Sequence, residues 1–310
     1  MTEPSSLSPR TPRLFKNSWD AAPAALALGQ FAYVIAVFVL WNHLSWPERA
    51  LAGLGWSFCI GWSLDSIAHN FIHNKFFASE KLNVAMSFVI SWTLGISQVM
   101  HEHIHWRHHA GNADYPDEAG ETIDPISVYK FGADRKAEPM ISYVFLAFLR
   151  DDDPFTIARE IAVRRPRAAT MALWEFWTLM GFWALLLALN WQCVLFMAPF
   201  YYLGHCFSAL IAYYEHLGAN PENPAATGVS TYEPIYNFIF LNNGYHAEHH
   251  FRPKRHWREM EALRRDMASK GKLAETRVMK LPHFLGFLEA ACRRIPTAKK
   301  PKPASVARVT

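Results

Sequence analysis

Four stretches of the chain, roughly residues 22 to 45, 48 to 68, 168 to 190 and 193 to 215, are each apolar for about the twenty residues a helix needs to cross ~30 Å of hydrocarbon. Backbone inside lipid must satisfy its own hydrogen bonds, so these blocks predict an all-α, polytopic membrane protein with four transmembrane helices. The links between them are short. Trp46 and Pro47 lead into Glu48 and Arg49 between the first two, and Asn190, Trp191 and Gln192 join the last two, which forces two antiparallel hairpins. Of the 31 Lys and Arg residues, all but Arg49 then fall on the side holding both termini and the long middle segment. By the positive-inside rule that side is the cytosol.

A mean hydropathy of -0.03 looks too polar for this class. The apolar residues are concentrated in blocks, however, and 51% hydrophobic content with 12 Trp and 22 Phe fits a few spans carrying a large water-facing cap. A net charge of +4 gives no reason to expect nucleic acid as a partner. Cys59, Cys193, Cys206 and Cys292 form no CxxC pair and read as small buried hydrophobes in a reducing compartment. The first twenty residues contain no apolar core ending in a cleavage site, so we expect no cleaved signal peptide.

The expected organisation is a cytosolic N-terminal segment, 1–21, a single domain over 22–296, and a disordered basic tail over 297–310. A fifth apolar stretch, Asn83 to Met100, is interrupted by Ser87, Ser91, Thr93, Ser97 and Gln98. Crossing the membrane there would put the histidines before and after it on opposite faces, so it reads as a re-entrant or interfacial helix. Met140 to Leu149 suits an interfacial helix, residues 219 to 235 read as a loop, and residues 254 to 296 as a basic helical cap.

The histidines are unevenly spread. His69 and His73 form HxxxH; His105, His108 and His109 form HxxHH; His246, His249 and His250 form HxxHH again. On a helix, positions i, i+3 and i+4 lie about 5–6 Å apart, so each box can aim several imidazoles at one point. A lone HxxxH is more often a polar helix end than a ligand pair. Here three boxes stand at or just beyond the cytosolic ends of hydrophobic segments, on one side of a topology argued from charge alone. Imidazole suits Fe, Zn, Cu and Ni, and eight such groups exceed what one ion accepts, which makes two metals the natural count.

The sequences HNFIH, HWRHH and HAEHH resemble, in spacing and order, the three histidine boxes of the membrane fatty-acid desaturases, and NNGYHAEHHFRP is similar to acyl and sphingolipid desaturases. The resemblance covers roughly residues 22 to 260. It implies a non-haem di-iron (Fe2+) centre that activates O2 and abstracts hydrogen from an unactivated acyl chain. It also implies one further ligand between the last span and the third box. His216, in AYYEHLG, fills that place and is similar to a motif of membrane alkane hydroxylases around residues 212–218. Nine metal ligands are thus expected: His69, His73, His105, His108, His109, His216, His246, His249 and His250.

Metal-bound histidines usually donate their other N–H to a carboxylate or carbonyl. Asp65, four residues before His69, would complete an Asp65, His69, His73 stripe, and Glu215 and Glu248 sit inside the ligand motifs; Glu102 and Asp114 flank the second box. His101 shares a face with His105 and is a substitute or outer candidate, whereas His103 points elsewhere. His205, three turns before His216, either lines a substrate tunnel or is satisfied between helices. Glu175 reads as interfacial, and His43, His256 and His283 as ordinary polar residues.

The expected function is an O2-dependent oxidoreductase of lipid metabolism, a fatty-acid desaturase acting on an acyl-lipid or acyl-thioester. Hydroxylation of an alkyl, acyl or carotenoid chain, or oxidative decarboxylation to a terminal alkene, would use the same site. A histidine-lined metal transporter would need ligands along a path across the bilayer, and these cluster on one face. The chain shows no haem motif, ferredoxin cysteine pattern or nucleotide loop, so electrons are expected from a separate ferredoxin or cytochrome b5 type donor with its reductase.

Overall fold

The computed structural model describes residues 13–134, 136–150 and 152–293. The expected tail over 297–310 and most of the N-terminal segment lie outside the described residues. The first helix, α1 (Ala21–Leu40), runs on through a 3-10 turn to His43. Ser45 then caps α2 (Trp46–Trp62): its backbone N–H and hydroxyl both donate to Glu48, at 2.7 and 2.6 Å. The Arg49 guanidinium stacks on Trp41 and Trp46 at 4.4 and 4.8 Å and donates to the Trp41 carbonyl, closing the turn. Tyr33 donates to the Ala52 carbonyl and Gln30 to that of Cys59, so α1 and α2 are antiparallel.

A π-helical turn, Ser63–Ala68, joins α2 to α3 (His69–His73). After it come α4 (Glu80–Leu94) and α5 (Gln98–Gly111), which meet at 87°. Gly95, at φ +72°, makes the break in the left-handed region, and a Cβ there would lie 2.5 Å from the Tyr201 ring. The apolar stretch Asn83 to Met100 is therefore not one straight helix.

Next are α6 (Met140–Leu146), extended by a 3-10 turn to Arg150, and α7 (Pro154–Arg164). The latter was not expected from the sequence. Asp153 caps it by accepting the N–H groups of Phe155 and Thr156, Pro154 opens it, and Ile157, Ala158 and Ile161 bury its inner face.

The third and fourth apolar blocks form one long element, α8 (Pro166–His216), broken at Asn190, whose side chain caps the second half by accepting from the Cys193 N–H. Trp183 and Tyr201 rings lie 6.5 Å apart. In a straight helix their positions would be about 27 Å apart, so the halves fold back on each other. The second half packs along α2 where side chains are small: a Cβ on Gly53 would strike the Phe200 ring, one on Gly61 the Phe207 ring, and one on Gly204 the Ile60 side chain. The pairing 53 with 200 and 61 with 207 is parallel, so α3 and the end of α8 emerge at the same end of the bundle.

Beyond α8 the all-helical expectation needs correction. β1 (Val229–Thr231) pairs in parallel with β2 (Arg277–Met279), Val229 opposite Arg277. Three-residue strands are too short to show alternation in a sequence. Between them lie α9 (Pro234–Ile239), α10 (His246–Phe251) and α11 (Met260–Ser269), so residues 219–235 and 254–296 are less uniformly loop and helix than expected.

The fold is mostly helical. Among the described residues two helices, Ser18–His43 and Pro166–His216, are long and apolar enough to cross a membrane, and the bent pair α4–α5 would make a third. The block at 48–68 does not count by itself, because regular helix ends at Trp62 and the π turn that follows carries Ser63, Asp65 and Ser66. Gly204→Val tests the α2–α8 seam: its added carbons meet Ile60 and the Ser57 carbonyl. A loss of about 1–3 kcal/mol is expected, read as a lower thermal midpoint in detergent.

Candidate metal centre

The nine boxed and added histidines come from four helix ends, α3, α5, α8 and α10, and all nine converge. They do so as two groups. His69, His73, His105 and His249 form one, His108, His216, His246 and His250 the other, with the ligand atoms of each within 4.8 Å of one another. His109 joins the first through its Nε2, 3.0 Å from those of His105 and His249, and lays its ring 4.3 Å from that of His250.

Helical periodicity explains the division. In HxxHH the first and fifth positions share a face and the fourth lies about 60° to one side. Accordingly His105 and His109 enter the first group and His108 the second, while His246 and His250 enter the second and His249 the first. The two boxes interlock in opposite senses.

Within the first group the Nε2 atoms of His73 and His105 are 2.7 Å apart, and those of His69 and His249 3.0 Å. With the two His109 contacts this makes a chain of four contacts through five nitrogens, 73–105–109–249–69. A ring nitrogen offers either one hydrogen or one lone pair, so each can take part in one linear bond. At most two of the four contacts can then be hydrogen bonds, and the others bring ring nitrogens together with no hydrogen bond between them. A cation relieves that arrangement: nitrogens held about 2.1 Å from one ion at right angles lie ~3.0 Å apart. In the second group His216 and His246 approach to 2.9 Å, and the buried Nε2 of His250 has no hydrogen-bond partner.

Burial keeps these imidazoles basic-poor. His73, His105, His109, His246, His249 and His250 are held well below the usual histidine range, and His69 is pushed down to about 3, with burial the first cause in each case. Neutral rings present the lone pairs a metal needs.

The second group is anchored from behind. His108 Nδ1 is 2.7 Å from Asp124 Oδ2, and Asp124, fully buried, also accepts the N–H groups of Ala113 and Ile126. His216 Nδ1 donates to the Thr227 carbonyl at 3.1 Å, and His250 Nδ1 to Asn112 Oδ1 at 2.8 Å. Each bond holds the proton on Nδ1 and leaves Nε2 free. Nothing in the sequence marked Asp124, Asn112 or the Thr227 carbonyl, because they come from loops whose path is set by tertiary contacts.

The expected carboxylate partners fare differently. Glu215 Oε2 lies 3.6 Å from His246 Nδ1, beyond a hydrogen bond, and its Oε1 accepts from Asn243 at 2.6 Å and faces His283 at 3.5 Å. Glu248 turns away from the histidines and accepts from Ser230 and Tyr232 at 2.7 and 2.8 Å, tying α10 to the β1 segment. Asp65, in the π turn, accepts from Ser208 at 3.2 Å, and its buried Oδ2 has no hydrogen-bond partner.

Glu102 pairs with Lys75 and Arg165, and Asp114 accepts the N–H groups of Ile123 and Asp124. His103 pairs with Glu160 and His256 with Asp20. His205 Nε2 contacts the Leu94 carbonyl at 3.3 Å and its ring stacks on Phe148 at 4.2 Å, which settles it as a histidine satisfied between helices. His283, read from the sequence as ordinary, is fully buried and donates to the Val229 carbonyl.

The fatty acid desaturase family matches residues 44–280 of this chain, a span that contains every one of the nine histidines. The chain belongs to that family. No curated protein and no solved structure matches it. Membership makes it a fatty-acyl oxidoreductase of desaturase or hydroxylase type in a membrane-associated family that generally uses two irons, and the two groups are able to hold them.

Asp124→Ala removes the partner of His108 without touching a ligand atom; metal affinity at one of the two sites is expected to fall about 10- to 100-fold, measured by metal analysis across a chelator series. Acid should act on the metal-free protein as well. Below pH ~6.5 unfolded histidines take up protons that the buried rings refuse, so stability falls as pH drops from 7.5 to 5.5. A thermal midpoint that rises over that interval contradicts the buried-neutral assignment.

Proposed function

We propose that the chain is a four-span membrane desaturase whose nine histidines hold two Fe2+ ions, and that it introduces a double bond into a long acyl chain carried as a lipid or thioester. The convergence of nine imidazoles, seven of them buried and two half-buried, into groups of five and four is the observation that carries this reading. Iron bound there would supply the O2 activation that breaking an unactivated C–H bond demands. The protein's own contribution is to hold the donors, keep water out and place the chain.

Two apolar cavities offer that placement. One, of about 310 Å³, is lined by Ile96, Met100, His101, Ile104, Phe148 and Phe176. The other, of about 220 Å³, is lined by Trp56, Trp183, Val194 and Tyr201, and both share Gly95 and Met180. The His101 ring lies 6.2 Å from that of His105, so the larger cavity ends one helical turn from the first histidine group. Two largely apolar cavities sharing a wall near a histidine cluster suit an alkyl chain.

The domain over 22–296, four crossings with both termini and the site in the cytosol, and a separate ferredoxin or cytochrome b5 type donor complete the proposal. Coexpression with such a donor and analysis of lipids and volatiles should reveal new double bonds. Hydroxylated chains or alkenes one carbon short would instead point to the hydroxylase or decarboxylase outcome. His249→Ala is expected to abolish the product and release metal; unchanged product from that variant would sink the di-metal assignment.

A further inference from the structure

Glu175 lies nine residues inside α8 and is fully buried against other parts of the chain. Three donors reach it, one from the middle of α4 and two from the start of α5. Its Oε1 accepts from the Ser87 hydroxyl at 2.5 Å; its Oε2 accepts from the Ser97 hydroxyl at 2.6 Å and the Val99 N–H at 2.9 Å. Ser97 is the N-cap of α5 and accepts from Met100 N–H, while Gln98 N–H donates to Ser91. The first turn of α5 thus has its free N–H groups satisfied, and Glu175 alone among these partners reaches in from a distant helix. A carboxylate there also complements the positive end of the helix dipole.

What hangs from this clamp is unusual. The first half of α5 supplies Met100, His101 and Ile104 to the larger cavity, and the bend supplies Gly95, Ile96 and Ser97. The second half carries His105, His108 and His109 to the two groups. One short helix therefore spans cavity wall and metal centre, and its angle of 87° to α4 is held at Glu175.

We propose that Glu175 is a positioning residue: by clamping the α4–α5 bend it sets the depth at which a chain in the cavity passes the histidine groups, and so which carbon is attacked. This rests on the desaturase reading above. A misplacement of about 1 Å between substrate and reacting centre can cost on the order of 100-fold in rate, so a loosened clamp should spread the product as well as slow it.

The test uses the full-length, metal-loaded enzyme with its donor, comparing Glu175→Gln, Glu175→Leu and Ser87→Ala with Thr178→Val. The last cuts a hydrogen bond from Trp92 between the same two helices and leaves the Ser87, Ser97 and Val99 contacts to the Glu175 carboxylate in place. Glu175→Gln and Ser87→Ala, which each weaken the clamp without removing it, should keep both metals. They should lower kcat about 10-fold with KM little changed, and shift about a tenth or more of the product to neighbouring carbons. Amide exchange at Val99 and Met100 should quicken about 10-fold.

Thr178→Val should match wild type in all of these. Glu175→Leu should go further than Gln, and if it fails to fold, Gln and Ser87→Ala still decide the matter. A single unchanged product position in the slowed variants, or unchanged exchange at Val99, overturns the proposal. No acyl product from the wild type overturns the desaturase reading itself, an outcome distinct from a wild-type product whose position the variants leave alone.

Discussion

Much of this structure answers to one electrostatic demand: imidazoles whose ring nitrogens come within about 3 Å of one another, in more close contacts than hydrogen bonds can account for. Such an arrangement repels itself unless a cation sits among the nitrogens. The four helix ends that deliver the rings must therefore be held against that repulsion by packing elsewhere. The α2–α8 seam does this through small residues at Gly53, Gly61 and Gly204, which let two helices run parallel at close range and bring α3 and His216 out together.

The two histidine groups differ in how they are supported. In the second, three of the four rings are tied down by Asp124, Asn112 and the Thr227 carbonyl, and only His246 Nδ1 has no hydrogen-bond partner. In the first, His73 Nδ1 and His109 Nδ1 have no hydrogen-bond partner. Its geometry depends on the helices themselves, and in particular on α5, which enters both groups and also walls the larger cavity. An all-nitrogen donor set with no carboxylate among the converging atoms fits borderline metals such as iron, and sets this site apart from carboxylate-rich centres built for harder ions.

Much of this was legible in the amino-acid order. The apolar blocks, the Asn190 turn and the capping of Ser45 by Glu48 follow from local rules, because helix length, turn and cap chemistry act over a few residues. The assignment of alternating box positions to two groups is implicit in HxxHH, since helical periodicity alone separates the fourth position from the first and fifth. The outer partners were not legible. Glu248 sits within the third box yet faces Ser230 and Tyr232, while Asp124, sixteen residues from His108, is its true neighbour.

By itself, then, the sequence determined the mostly helical, apolar-block class and the nine histidines with their box spacing, all properties of residue type and short-range order. Only the tertiary structure decided which imidazoles meet, which carboxylates stand behind them and where a chain could lie. Those depend on Ser208 reaching Asp65 in the π turn, on Tyr201 donating to the Gly95 carbonyl where α4 bends against α5, and on a buried glutamate in α8 reaching across to the start of α5. Each joins groups far apart in the chain, and no local pattern encodes a distance between residues that meet only after folding.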